Sequence, residues 1–154
     1  MNKKVKSYKD IIEIPKKLKQ KLPTSYDVIG NISILKLDDD LYEYRKLIGD
    51  ALLECNKNLK TVCLTHAVKG ELRTRDIEII AGKNTTETVH KEFGLRFSID
   101  IRKAYFSPRL ATERKYIADL VQPNEKILDM FTGVAPFPIM ISKYSQPKIV
   151  YAID

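Results

Sequence analysis

Apolar positions recur along this chain with more than one period. From Leu41 to Cys55, the stretch LYEYRKLIGDALLEC is apolar at 41, 44, 47, 48, 51, 52 and 55. This three-and-four spacing predicts one amphipathic helix behind an aspartate cap. SYDVIGNISILKL instead places β-branched and apolar residues on both sides of Gly30 and Asn31, which predicts two short strands joined by a tight turn. TVCLTHAV reads as a further strand. KGELRTRDIEIIAGKNTTETVHKEFGLRFSIDI alternates in stretches broken at residues 82 to 84 and at Gly94, as an antiparallel meander would.

The pattern changes near residue 105. Ser107-Pro108 is a helix start, and RLATERKYIADLV carries Leu110, Ile117, Leu120 and Val121 on one side before Pro123 closes it. KILDMF and KIVYAID read as buried strands around a TGVAP turn and a short helix, FPIMISKYS. The expected architecture is α/β: an α+β domain over residues 1–104, then the start of a doubly wound, Rossmann-like domain over 105–154. Ahead of both lies a basic lead-in with a short helix around IPKKLKQKL, where Pro15 suits the first turn.

Charge and composition narrow the partners. The chain has 27 basic and 20 acidic residues, a net charge of +7. That balance fits either a polyanionic partner such as nucleic acid or an ordinary solvated lysine surface. The acidic island LDDDLYEY excludes residues 38–40 from any basic face. No apolar run approaches the ~20 residues that span a bilayer, and the N-terminus lacks a signal-like apolar stretch, so the expectation is a cytoplasmic protein with no membrane partner. Cys55 and Cys63 have only His66 and His90 as imidazole neighbours in the sequence and no CxxC spacing. Reduced structural thiols and no metal are expected.

The candidate chemistry sits at the C-terminal end. A strand ending in Asp129, a turn through Phe131, Gly133 and Val134, a helix, and a second strand ending in Asp154 have the order of a nucleotide-binding βαβ unit. Gly133 keeps the turn free of a side chain, and Asp154 can accept hydrogen bonds from ribose hydroxyls. Asp129 would repel a pyrophosphate, and a full GxGxxG is absent, so S-adenosylmethionine fits better than a dinucleotide. A plain βαβ turn with incidental acids is the alternative on these residues alone.

YFSPRLATER, DMFTGVAPF and YAID, in that order, together with SYDVIGNISILKL, KGELRTRDIEIIAG and VHKEFGLRFSIDI upstream, resemble the archaeal and eukaryotic tRNA (guanine-37, N1 atom) methyltransferases. The resemblance runs from about residue 14 to the end. It implies S-adenosylmethionine as cofactor, tRNA as substrate, Glu113 as general base and Arg73 as stabiliser of charge on O6 of the guanine. It further implies that Arg109 and Arg114 support the site and the RNA, and that Tyr105, Asp129, Phe131, Gly133, Val134 and Asp154 surround the cofactor. Glu113 and Arg114, adjacent on a helix, point to different sides, whereas Arg109, four residues before Glu113, could orient its carboxylate. Without the resemblance, Glu113 and Arg109 read as an exposed helix pair, one of Arg73 and Arg75 as a solvated residue, and Phe106 as core.

The pattern also departs from that family. Ala135 stands where a second glycine is usual and Thr132 where alanine is usual. The family's later strands and its Asn-Pro-Pro motif have no counterpart here. Three expectations follow: a truncated form of the enzyme, a chain completed by a C-terminal segment or second polypeptide, or a non-catalytic RNA-binding remnant. The related wybutosine-pathway aminocarboxypropyl transferases share fold and cofactor but usually differ at the Pro-Arg-Leu step.

Overall fold

The computed structural model describes residues 7–65 and 76–154. Two short helices open it, α1 (Tyr8–Ile11) and α2 (Lys16–Lys19). Ser7 caps α1 reciprocally with Asp10, and Pro15 stands at the N-terminus of α2. The basic lead-in is largely tied to its own chain. Lys9 Nζ donates to the Leu22 carbonyl, Lys19 Nζ to the Ile12 carbonyl, and Lys21 pairs with Asp40.

Strands β1 (Asp27–Ile29) and β2 (Ile32–Leu35) form the expected hairpin around Gly30 and Asn31. A 3-10 turn (Asp39–Tyr44) leads into α3 (Arg45–Cys55), so the predicted helix is two elements, and Asp38 gives no side-chain cap. Leu41, Ile48, Ala51 and Leu52 face the core, whereas Leu47 is exposed. Strand β3 (Thr61–Thr65) lies parallel to β2, and β4 (Ile77–Gly82) lies antiparallel to β3.

The continuous meander is not what forms. The sheet order is β1-β2-β3-β4, and β5 (Glu87–Glu92) with β6 (Leu95–Asp100) makes a separate antiparallel hairpin. The reason is burial on both sides. Along β2 all four residues are buried, and along β3 the first four are. Leu35, Val62 and Leu64 pack with α1 and α3 on one face, while Ile32, Ile34 and Cys63 pack with Phe97, Ile99, Ile101 and Phe106 on the other. A central pair this apolar needs two covers, and the hairpin is the second. Burial pushes the Cys63 thiol up to about 12 against the opposing pull of the Arg102 charge, which keeps it an inert core group.

After the hairpin, a 3-10 turn (Pro108–Leu110) starts α4 (Ala111–Leu120), followed by β7 (Lys126–Asp129), α5 (Pro136–Tyr144) and β8 (Ile149–Ala152). β7 and β8 are parallel and joined across α5, the expected βαβ unit. Ala118, Met140 and Ile141 form its core with Ile117, Val121, Ile127 and Val150. Two expectations fail here. Leu110 and Leu120 lie exposed, and the residues of α4 that are buried are Arg114 and Ala118. The strands are not buried on both faces either. Ile127 and Val150 lie under α5, but Leu128, Tyr151 and the following Ile153 face outward, because among the described residues nothing packs over that side.

Candidate functional site

Tyr105 to Arg114 connects the hairpin to α4, and its shape follows from two buried groups. Arg114 is 1% exposed. Its Nε and Nη2 donate to the two carboxylate oxygens of Glu92 at 2.6 and 2.5 Å, and its terminal nitrogens also donate to the Ser107 carbonyl at 3.2 Å. The guanidinium lies 4.8 Å from the centre of the Phe106 ring. Phe106 is core, packed against His90 and Phe97 at centroid distances of 5.0 and 5.7 Å. Ser107 therefore sets this helix start through its carbonyl; its hydroxyl makes no capping bond.

The expectation that Arg114 supports an RNA contact is corrected by this geometry. A guanidinium enclosed by a carboxylate, a carbonyl and a ring has no face left for a phosphate. What Arg114 can do is hold the Ser107-Pro108 turn against β5. Sequence reading missed Glu92 and His90, although the alternation of ETVHKE does place Thr88, His90 and Glu92 on one side of β5.

His90 extends the same network toward β1. Its Nδ1 accepts the Gly30 N–H at 3.1 Å, and its Nε2 lies 3.6 Å from Glu92 Oε2. Burial lowers the pKa of His90, and the Arg114 charge lowers it further against the opposing pull of Glu92. The neutral ring suits the geometry, since only an unprotonated Nδ1 can accept from Gly30. Gly30 itself has φ +57°, and a methyl group there would stand 2.1 Å from Thr88 Oγ1 and 2.7 Å from the Val89 carbonyl oxygen. The β1–β2 turn can thus sit on β5 only as glycine.

Arg109 and Glu113 do not pair. Arg109 Nε donates to Asp27 Oδ1 at 2.7 Å, which ties the 3-10 turn to the start of β1. Glu113 is exposed on α4, and among the described residues its carboxylate has no hydrogen bond or ion pair. An accessible carboxylate beside a rigid turn is free to accept a proton or a hydrogen bond from a ligand. Arg73 lies outside the described residues.

The glycine loop is built by hydrogen bonds to the end of β8. Ile153 N–H donates to the Asp129 carbonyl at 2.9 Å, Thr132 N–H to the Ile153 carbonyl at 3.0 Å, and Gly133 N–H to Asp154 Oδ1 at 3.1 Å. Phe131 N–H donates to Asp129 Oδ1 at 3.3 Å. Gly133 has φ +52°, and the nearest atom to a methyl group placed on it is the Tyr105 carbonyl oxygen at 4.0 Å. Ala135 adopts a left-handed conformation, φ +57°, as the N-cap of α5. Tyr105 and Phe131 are 66% and 88% exposed.

Gly133 therefore lies next to both Asp154 and the Tyr105 backbone, and Asp129 and Phe131 belong to the same loop. Val134 turns away, packing against the core beneath the four-stranded sheet. The second carboxylate oxygen of Asp154 is left to accept from a ligand hydroxyl, and the exposed rings of Tyr105 and Phe131 offer flat apolar surface. This arrangement fits an adenosine-bearing ligand. The Thr132 hydroxyl is buried and has no hydrogen-bond partner among the described residues, a cost that alanine at this position would not carry.

Residues 8–85 match the family described as TYW2 N-terminal domain, and residues 88–154 match the TRM5/TYW2 methyltransferase domain. Over 149 residues the chain is 46% identical to tRNA (guanine(37)-N(1))-methyltransferase Trm5b of Pyrococcus abyssi, covering 96% of this chain and 44% of that one. The crystal structure of that relative has a TM-score of 0.85. The complex of aTrm5 with tRNALeu has a TM-score of 0.83 at 42% identity, covering 98% of this chain and 46% of that one. The structure of P. horikoshii TYW2 in complex with MeSAdo has a TM-score of 0.71 at 32% identity, covering 91% and 48%. The chain spans a little under half the length of these relatives.

Proposed function

This chain belongs to the TRM5/TYW2 family, and from that membership we propose that it carries the middle domain and the first part of the catalytic domain of an S-adenosylmethionine-dependent tRNA (guanine-37, N1 atom) methyltransferase. The relatives are more than twice as long, so the activity is assigned to these residues together with the polypeptide that supplies the rest of the site. We place the division between its two units near residue 105 and the protein in the cytoplasm.

The observation that carries the reading is the Gly133 N–H to Asp154 hydrogen bond beneath the Tyr105 carbonyl. It closes the glycine loop on the end of β8, beside the Tyr105 backbone that leads into the SPRLATER segment. In this reading Asp154 binds the ribose hydroxyls of the cofactor, and Tyr105 and Phe131 flank its adenine. Asp129 and the Gly133 backbone shape the loop. Bound S-adenosylmethionine supplies the methyl group as an electrophile.

Glu113 accepts the N1 proton of guanine, raising the electron density at N1, and the guanidinium of Arg73 balances the charge that builds on O6. Arg109, tied to Asp27, keeps the turn before Glu113 in place. Arg114 acts on the site only through that turn.

The test is calorimetric binding of S-adenosylmethionine to the chain, with methyl transfer to unmodified tRNA measured on the chain joined to the missing length of a relative. Glu113→Gln should abolish transfer and leave cofactor binding intact. Transfer of an aminocarboxypropyl group instead of a methyl group would identify the TYW2-type reaction. Retention of full transfer by Glu113→Gln would refute the assignment of the base.

A further inference from the structure

The tip of the β5–β6 hairpin carries an arrangement that costs the fold stability. Lys91 and Arg96 are direct cross-strand partners on its exposed face. Like charges facing each other across an antiparallel pair repel. Among the described residues neither cation has an ion pair, although Glu92 is adjacent in sequence, because the carboxylate of Glu92 is turned inward to Arg114.

Between them the two-residue turn Phe93-Gly94 has φ of +44° and +72°. Such turns favour Asn or Asp ahead of glycine, and an aromatic residue there is uncommon. Phe93 is nonetheless 43% exposed. Its carbonyl accepts the hydroxyl of Tyr144, itself partly exposed, and Lys115 Nζ lies 5.0 Å from the centre of the Tyr144 ring. Two surface aromatics and the two cations Lys91 and Arg96 thus gather at one end of the hairpin, while Lys115 is paired with Asp119. The opposite end of the same face carries Glu87 directly across from Asp100, so the basic character belongs to the tip alone.

We infer that this tip is an RNA-binding surface, with Lys91 and Arg96 on phosphates and Phe93 against an unstacked base or a sugar. The inference rests on the tRNA reading above and names a surface for it. Mobile counter-charge from a polyphosphate would relieve the Lys91–Arg96 repulsion, and neighbouring rings suit nucleic acid better than an acidic peptide. Lys115 and Glu113 lie on opposite flanks of α4, so the tip grips RNA away from the proposed reacting base.

The experiment measures affinity of the 154-residue chain for an unmodified tRNA transcript over a series of salt concentrations. A double variant, Lys91→Glu with Arg96→Glu, is compared with an equal charge change elsewhere, Lys57→Glu with Lys60→Glu. The tip variant should bind at least about tenfold more weakly, with the slope of log affinity against log salt reduced by about 1.4–1.8, as expected for two phosphates. Phe93→Ala should weaken binding several-fold with the slope unchanged.

The single variant Lys91→Glu should melt at a higher temperature than the parent while binding RNA less well, which excludes misfolding as the cause. Equal loss in the tip and control variants overturns the inference and leaves the methyltransferase reading intact. Binding that depends on the tip, with no methyl transfer in the completed enzyme, would uphold the surface and refute the catalytic reading. Failure of the parent chain to bind tRNA at low salt overturns the inference outright.

Discussion

Arg114 and Glu92 form a two-pronged ion pair inside the molecule, with both side chains almost entirely removed from solvent. It joins α4 to β5, a strand of the hairpin that covers the four-stranded sheet. Burying two charges is expensive unless they are paired and their remaining donors are satisfied. The Ser107 carbonyl and the Phe106 ring complete that shell.

Removing one partner should therefore unfold more than a local turn. Arg114→Ala is expected to lower stability by about 3–5 kcal/mol, because it leaves the Glu92 carboxylate buried without compensation. Urea denaturation measures it. The double variant Glu92→Leu with Arg114→Met should recover most of that loss. A double variant as unstable as Arg114→Ala would show that the pair has a structural role that apolar packing cannot replace.

Acid should weaken the fold before the ordinary carboxylates titrate. The pKa of His90 is lowered below its usual value of 6.5, mainly by burial, with the Arg114 charge adding and Glu92 opposing. The unfolded chain then binds more protons than the folded one in this range, so the contribution of His90 is complete above about pH 6.5 and is lost as pH falls toward the lowered value. Urea midpoints between pH 8 and pH 5 should decline over that window. His90→Gln, which keeps an acceptor for the Gly30 N–H, should flatten the decline. An unchanged profile in that variant would place the titrating group elsewhere.

Two glycines with nearly the same positive φ should respond differently to alanine. Gly133→Ala meets only the intrinsic left-handed penalty of about 1–2 kcal/mol, since nothing lies closer than 4.0 Å to the new methyl group. Gly30→Ala adds a collision with Thr88 and the Val89 backbone and should cost clearly more, separating the β1–β2 turn from β5. Thermal melts compare the two directly. Equal shifts would mean that the turn can lift off the hairpin without loss.

In the proposed reading, Asp154→Ala removes the charged acceptor that a ribose hydroxyl of the cofactor would meet, besides an exposed bond to Gly133 N–H. A hydrogen bond to a charged group contributes about 1.5–3 kcal/mol, so S-adenosylmethionine affinity should fall roughly 10- to 100-fold. Stability should change little, because Asp154 is exposed. Calorimetry and a melt on the same sample distinguish a ligand contact from a folding defect.

The Arg109–Asp27 pair should matter little to stability despite its 2.7 Å separation. Arg109 is mostly exposed, and ion pairs of that kind contribute about 0–1 kcal/mol. Arg109→Ala should leave the melting temperature within a degree or two, while any change in methyl transfer would report the position of the turn that leads to Glu113.

By itself, the sequence determined the elements whose signals are local. The Gly30-Asn31 hairpin, a helix ending at Cys55 and the βαβ unit around Gly133 follow from turn chemistry and residue periodicity, whereas the 3-10 turn that precedes Arg45 and the bond from Gly133 to Asp154 do not. Pairing between distant segments was decided only in three dimensions. Alternation along β4, β5 and β6 reads the same whether β5 pairs with β4 or covers the sheet, and the apolar faces of β2 and β3 select the second. The direction of Arg114 was equally hidden. Helix periodicity turns it to a different side from Glu113, but only the packing of α4 on β5 shows that a carboxylate waits there. A charge enters a protein interior where a specific partner from elsewhere in the chain receives it, and that partner is a property of the tertiary structure.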